Sequence, residues 1–176
     1  MEPREPRKRI KYVPKGVPAI EDNLTFLKNK CSDHARKVLM TIEEIQIELW
    51  FDKHYYNRHQ HGDEEGKRDG IDPTTVEKLV KKSFRHLLFY SSSVQGFKFI
   101  NFASFPLPVR VILQEWSAGS KLNVVIESHF KDICHYEVTV KTAMCTEEFR
   151  VAIGQYCIEF QGGNSVLYRN DNKKMI

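Results

Sequence analysis

The chain has 176 residues, of which 41% are hydrophobic and 28% are charged, and its formal net charge is +4. This length predicts one domain with a core of ordinary size, and no stretch approaches the roughly 18 consecutive apolar residues of a membrane-spanning helix. The four cysteines include no Cys-x-x-Cys pair, which argues against a zinc ribbon or a disulfide framework. Because the first residues also lack an apolar signal segment, we expect a cytoplasmic protein without a membrane partner.

The basic residues are concentrated at the start of the chain. Residues 1–17 contain six Lys or Arg and two Glu, so this segment accounts for the whole net charge of +4. Three prolines in it favour an extended backbone, and we predict a flexible basic arm over residues 1–18. Such an arm binds phosphates by releasing condensed counterions, although a tail that only aids solubility is an alternative. The residues expected to make these phosphate contacts are Arg7, Lys8, Arg9 and Lys11.

The segments that follow alternate between helical and extended patterns. Apolar residues at broken helical spacing over 19–40 predict one helix or two short ones. Over 42–51, the alternation of Ile45, Ile47 and Leu49 fits a strand, whereas Ile42, Ile45 and Leu49 fit a helix, and both interpretations stay open. Residues 52–60, "DKHYYNRHQ", are typical of a short helix with Asp52 as its N-cap, and a glycine-rich charged loop follows.

A second helix begins at "DPTTVEKLVKKSFRHLL", with Asp72 as N-cap and Pro73 in the first helical position. Its apolar stripe consists of Val76, Leu79, Val80, Phe84 and Leu87. From residue 86 onward, short β-branched and aromatic runs separated by turn residues predict an antiparallel meander. We therefore predict an α+β domain over residues 19–176, with N-terminal helices packed on one face of a C-terminal antiparallel sheet of about four to six strands.

The first of these helices gathers side chains suited to acid–base chemistry. His54, Arg58 and His61 are spaced i, i+4 and i+7, which places them on one helical face. An imidazole transfers protons near neutral pH, and a guanidinium presents a fork of donors to a phosphate. His86 lies at the margin of the second helix's stripe, where it is either a second acid–base group or a cation at a helix end. The further candidates on predicted strands are His129 and Lys141.

A metal site is the competing interpretation of the same segment. His59 and His61 form a His-x-His pair beside an acidic loop, but no distant pair of cysteines or histidines completes four ligands at a familiar spacing. We therefore expect no metal ion. The sequence also contains neither a P-loop nor a Gly-x-Gly-x-x-Gly motif, so we expect no nucleotide cofactor.

The stretch from "FDKHYYNRHQHG" through "RDGIDPTTVEKLVKKSFRHLLFY" resembles the helical half of the barnase–EndoU–colicin–RelE-like (BECR) nucleases, and most of all the RegB-type endoribonucleases of phages. The resemblance is specific over residues 54–90. His54 and Arg58 match a His-x-x-x-Arg pair on one helix, and His86 matches a second histidine at the end of the next helix. The resemblance implies a RelE/RegB-like, toxin-like domain.

What the resemblance implies is a metal-independent endoribonuclease that cleaves mRNA and leaves a 2′,3′-cyclic phosphate. His54 and His86 would divide the roles of base and acid, and Arg58 would hold the scissile phosphate. Further RNA contacts would come from Lys81, Lys82 and Arg85. The expected partners are mRNA, alone or on the ribosome, and a protein inhibitor or host protein, in the host cytoplasm if a phage encodes the chain. The alternative is a non-catalytic module that binds nucleic acid or inhibits a host protein.

Overall fold

The computed structural model describes residues 27–61, 70–102, 107–117 and 119–171. The elements in these residues are β1 (Ala35–Ile42), β2 (Ile45–Asp52), α1 (Lys53–His61), α2 (Pro73–Ser93), β3 (Ile100–Asn101), β4 (Arg110–Ser117), β5 (Ser120–Asp132), β6 (His135–Cys145), β7 (Tyr156–Gln161) and β8 (Asn164–Arg169). The predicted basic arm lies outside the described residues, so its contacts with RNA stay a prediction.

The described strands form one mixed sheet of eight strands. Its order is β1–β2–β6–β5–β4–β7–β8, and β3 pairs with β5 beside this path. The pairs β2–β6, β3–β5 and β4–β7 are parallel, and the remaining pairs are antiparallel. The predicted fold, with N-terminal helices on one face of a smaller antiparallel sheet, is therefore wrong. A β-hairpin precedes the helices, and pairing between distant segments joins this hairpin to the later strands.

The hairpin β1–β2 overlaps the end of the region where we predicted helix, residues 19–40. Residues 27–34 are not helical and residues 35–40 belong to β1, whereas residues 19–26 lie outside the described residues. In β1, Val38, Met40 and Ile42 belong to the core, whereas Leu39 between them is 72% exposed. Such a period of two is the signature of a strand with one buried face. The strand alternative for residues 42–51 is confirmed, because β2 pairs with β1 on one side and with β6 on the other. Pairing with β1 and β6 therefore selects the strand, which the local sequence alone does not distinguish from a helix.

Both helices of the "FDKHYYNRHQHG" and "DPTTVEKLVKKSFRHLL" segments are confirmed. The Asp52 carboxylate accepts a hydrogen bond from the backbone N–H of His54 at 2.8 Å, and Asp72 accepts one from Thr75 at 3.1 Å with Pro73 at the helix start. The predicted apolar stripe of α2 is buried. The helix continues through the serine triplet, so "HLLFYSS" is helical and is not the first strand. Within the described residues, neither helix is both long and apolar enough to cross a bilayer.

The two faces of the sheet differ in chemistry. One face packs against α2, where the ring of Phe84 lies 5.7 Å from that of Phe99 and 5.2 Å from that of Tyr136, centroid to centroid. The opposite face carries buried polar side chains, among them Glu127 and Thr139. Because buried polar groups require hydrogen-bond partners, a segment that supplies such partners must cover this face.

Residues 29–32 provide such a cover over β5 and β6. The Asn29 amide donates to the Thr139 hydroxyl at 2.9 Å, and the backbone N–H of Lys30 donates to the Glu137 carboxylate at 3.1 Å. The Cys31 thiol donates to Glu127 at 3.0 Å. The segment before β1 is thus held across the middle of the sheet by polar contacts.

Candidate functional site

A cleft opens where β2 and β6 separate. The two strands run parallel until Phe51 pairs with Val140, after which the chain turns from Asp52 into α1 while β6 continues to Cys145. The cleft has a volume of about 470 Å³, with α1 on one wall and the end of β6 on the other. The separation of the two strands therefore leaves the last residues of β6 open to a ligand.

Among the described residues, three nitrogen-bearing side chains line this cleft: His54 and Arg58 from α1, and Lys141 from β6. The Arg58 guanidinium donates to the Thr142 hydroxyl at 3.3 Å and so reaches from the helix to the strand. The Lys141 ammonium donates to the backbone carbonyl of Cys31 at 3.2 Å. The cleft therefore combines the predicted pair His54 and Arg58 with Lys141, which was only a further candidate in the sequence.

Lys141 owes its position to a β-bulge in β6. Val125 pairs with Thr142 and Ile126 pairs with Val140, so Lys141 has no opposite residue in β5. A bulge bends the strand and re-aims the side chain of the extra residue, and bulges are common beside active sites. The sequence "TVKTAM" contains no sign of this bulge, because the register shift depends on both strands.

Helix α1 is anchored at its base and along its side. One Asp52 oxygen accepts from the backbone of His54, and the other accepts from the Ser32 hydroxyl. The buried Tyr55 hydroxyl donates to the carbonyl of Ile71 at 2.5 Å. Burial, reinforced by the charge of Asp72, raises the pKa of Tyr55 far above its usual value, so the phenol stays protonated. Tyr55 therefore acts as a fixed donor that ties α1 to the start of α2.

His86 lies in a separate cleft. It is fourteen residues beyond Asp72, which places it about 21 Å farther along the α2 axis at 1.5 Å per residue. Its Nδ1 lies 2.8 Å from the Ser165 hydroxyl, and its ring meets that of Phe160 edge-on at 5.1 Å. Partial burial, and then the charge of Lys82, lower the pKa of His86. Within the part of the chain that the structure describes, the two clefts share no lining residue, so the structure does not bring His86 to the cleft of His54.

The predicted RNA-binding cations of α2 lie near His86 and mostly have acidic partners. The Lys82 ammonium contacts Glu115 at 2.7 Å, and Arg85 pairs with Glu43. Lys81 lines the same cleft as His86. These cations are far from the cleft of His54, so their contribution to RNA binding stays a prediction. The prediction for His61 concerns a side chain outside the described residues.

His129 belongs to another cluster on the polar face of the sheet. Its Nε2 lies 3.0 Å from Glu127 and 3.3 Å from the Cys31 sulfur. Burial opposes ionisation of Glu127, but hydrogen bonds from His129, Cys31 and Arg110 outweigh it and lower the pKa of this carboxyl to about 2. Burial, and then the hydrogen bond to Glu127, raise the pKa of Cys31 to about 12.

We did not predict the Cys31–Glu127–His129 cluster, because the cysteine is remote in sequence from the other two residues. The available signal was the Glu-x-His spacing on β5, since residues two apart share one face of a strand. That spacing does not indicate which segment covers the face.

Comparison with known proteins assigns no family to this arrangement. No family model matches the chain, and neither a curated protein nor a solved structure is significantly similar to it.

Proposed function

We propose that the chain is a metal-independent endoribonuclease with its active site in the cleft between α1 and β6. The observation that carries the proposal is the convergence of His54, Arg58 and Lys141 in one cleft. The resemblance of residues 54–90 to the BECR nucleases supports the same assignment through His54 and Arg58. We leave His86 out of the catalytic set, because it lines a different cleft.

In the proposed reaction the ribose 2′-hydroxyl attacks the adjacent phosphorus and His54 takes the hydroxyl proton. Arg58 presents its fork of donors to the phosphate oxygens and stabilises the negative charge that grows on them. Lys141 donates the proton that the departing 5′-oxygen requires. The P–O5′ bond breaks as the P–O2′ bond forms, leaving a 2′,3′-cyclic phosphate and a 5′-hydroxyl end. The chain's own side chains supply both proton transfers, so no metal ion is needed.

The cleft is suited to a segment of single-stranded RNA, and we propose mRNA as the substrate. Its volume of about 470 Å³ lies within the range of small-molecule sites and matches roughly one nucleotide. Arg58 and Lys141 reach it from opposite walls. A phosphate between them is therefore held from two sides, which fixes the geometry that attack by the 2′-hydroxyl requires.

The proposal is tested by incubating RNA with the wild type and with His54→Ala, Arg58→Ala and Lys141→Met in the presence of EDTA. We expect His54→Ala to lower the rate about 10²- to 10⁴-fold and Arg58→Ala about 10²- to 10³-fold. His59→Ala is the matched control, because His59 is an exposed histidine of the same helix that does not line the cleft. Analysis of the RNA ends should show 2′,3′-cyclic phosphates.

Three results would contradict the proposal: full activity of His54→Ala, equal losses in His59→Ala, or loss of wild-type cleavage in EDTA at a temperature where the chain remains folded. We expect His86→Ala to retain cleavage, because His86 lines another cleft. A loss of cleavage would instead favour the assignment that the resemblance implied, in which His54 and His86 divide the roles of base and acid. If the wild type cleaves no RNA but binds it, and Arg58→Ala weakens that binding, the non-catalytic module is the better description.

A further inference from the structure

Three potential metal ligands converge on the polar face of the sheet, outside the cleft. The Cys31 sulfur lies 3.0 Å from Glu127 Oε1 and 3.3 Å from His129 Nε2, and the last two atoms are 3.0 Å apart. These atoms form a nearly equilateral triangle that offers one sulfur, one oxygen and one nitrogen. Hydrogen bonds connect these three atoms when no metal ion is bound, and the lone pairs of the same atoms can instead coordinate one ion.

We propose that Cys31, Glu127 and His129 bind a zinc ion. Thiolate, carboxylate and imidazole are all zinc ligands, and three protein ligands with a water molecule complete a tetrahedral site. With bonds of about 2.0–2.3 Å, ligand atoms of such a site lie about 3.3–3.6 Å apart. Each edge of the triangle is within about 0.5 Å of this requirement. Small side-chain rotations are therefore enough to admit the ion.

The neighbouring contacts hold the ligands in the orientation that the ion needs. Glu127 and His129 are two residues apart on β5 and so lie on the same face. Arg110 Nε donates to Glu127 Oε2 at 3.0 Å, which leaves Oε1 directed towards the other two ligands. The Asn29 side chain accepts from the backbone N–H of Cys31 at 2.9 Å and fixes the loop that carries the thiol. Such outer contacts orient metal ligands and strengthen binding.

The charges of the ligands themselves match a divalent ion, and the sulfur favours one with affinity for thiolates. A thiolate and a carboxylate together neutralise Zn²⁺, and Glu127 is only 4% exposed. The nearby Arg110 side chain is 47% exposed, so water screens its charge. Lys141 directs its ammonium to the Cys31 carbonyl. The sulfur ligand selects zinc over magnesium or calcium, which prefer oxygen ligands alone.

The ion would fasten residues 29–32 to β5 without entering the cleft. None of its three ligands lines that cleft. The same segment contacts two cleft residues, because the Cys31 carbonyl accepts from Lys141 and the Ser32 hydroxyl donates to Asp52. Zinc is thus expected to stabilise the wall of the cleft without taking part in RNA cleavage, and the inference does not depend on the proposed function.

The test uses the full chain, stripped of metal with a chelator and then dialysed. Titration calorimetry with Zn²⁺ should show one ion per chain. Co²⁺ added in place of zinc should produce a thiolate-to-metal charge-transfer band in the near ultraviolet. We expect Cys31→Ser and His129→Gln to weaken zinc binding by more than about tenfold, and Cys31→Ser to abolish the band. Cys145→Ser removes an exposed thiol elsewhere and should bind like the wild type.

The proposal is overturned if the wild type binds no zinc, or if its cobalt complex lacks the thiolate band. Neither result depends on whether a variant folds. It is also overturned if Cys31→Ser binds zinc as tightly as Cys145→Ser does. The circular dichroism of each metal-free variant shows whether a loss of binding comes from a missing ligand or from an unfolded chain. If a variant is unfolded, the wild-type cobalt spectrum alone shows whether a thiolate binds the metal.

Discussion

Gly70 lies shortly before α2 and in close contact with the backbone of α1, and its replacement by alanine tests how the cleft is built. A Cβ atom there would lie 2.3 Å from the Cα of His59 and 2.4 Å from the carbonyl oxygen of Arg58. Non-bonded carbon atoms pack at about 3.5–4.0 Å, so the backbone of α1 would have to withdraw by at least about 1 Å. Both contacted atoms belong to the backbone, so no side-chain rotation relieves the overlap.

The expected effects follow from this displacement. Forcing extra volume into a packed site costs about 1–3 kcal/mol, and we expect Gly70→Ala to lower the free energy of unfolding by that amount. The same shift changes the position of Arg58 on α1 relative to Lys141 on β6, since both line the cleft. A displacement of about 1 Å in a positioning group lowers rates about 10²-fold, so we expect a comparable loss of RNA cleavage.

Urea denaturation followed by tryptophan fluorescence measures the first effect, and initial rates of RNA cleavage measure the second. Gly163→Ala is the matched control, because a Cβ at that position meets no heavy atom within 4 Å. If the two variants unfold within about 0.5 kcal/mol of each other and both cleave RNA at the wild-type rate, the argument from the close approach of α1 is refuted.

Three further predictions concern the stability of the fold. Phe84→Ala removes a fully buried ring of α2 and should lower the free energy of unfolding by about 3–5 kcal/mol in urea denaturation; a loss below about 1 kcal/mol would contradict the packing. Asp72→Ala removes the N-cap of α2 and should cost about 1 kcal/mol in the same assay, whereas Asp72→Asn should retain most of the stability. Burial opposes ionisation of Glu48, but hydrogen bonding and charge from Lys131 and the charge of Lys37 outweigh it and lower the pKa of the folded carboxyl. The ionised Glu48 therefore stabilises the fold above its unfolded pKa of about 4.3, and this contribution is lost as the pH falls through the folded pKa. Glu48→Gln should make the melting temperature fall less steeply at acid pH than in the wild type. Equal slopes for the two proteins would contradict this prediction.

The parts of the fold that the sequence predicts are those set by neighbouring residues. Helix α2 is recognisable because its cap and its apolar stripe are local features. The parallel pairs of the sheet are different, since Gln46 of β2 pairs with His135 of β6 at a separation of 89 residues. Short apolar runs predict strands, but they do not specify which strands become neighbours. The expected meander therefore fails in topology, although β4, β5, β6 and β7 form where the runs lie.

In the candidate site, too, residues close in sequence could be predicted to lie together, whereas residues far apart in sequence could not. His54 and Arg58 are four residues apart, so helical geometry alone predicts that they share a face. The partnership of His86 with His54 came from the resemblance; helical spacing indicates the face of a residue but not its distance from another helix, and the two histidines line different clefts. Cys31 and Glu127 are separated by 96 residues, and only the covering segment on the polar face brings them together. Side chains that meet through tertiary structure are thus beyond the reach of local patterns.

The parallel pairing of β2 with β6 also determines when during synthesis the cleft first exists. One wall, α1, follows β2 directly, whereas the wall that carries Lys141 is translated some eighty residues later. Closing so long a loop carries an entropic cost and slows folding, because the two walls face each other only after the distant strands have paired. A nascent chain therefore has no cleft until β6 has left the ribosome.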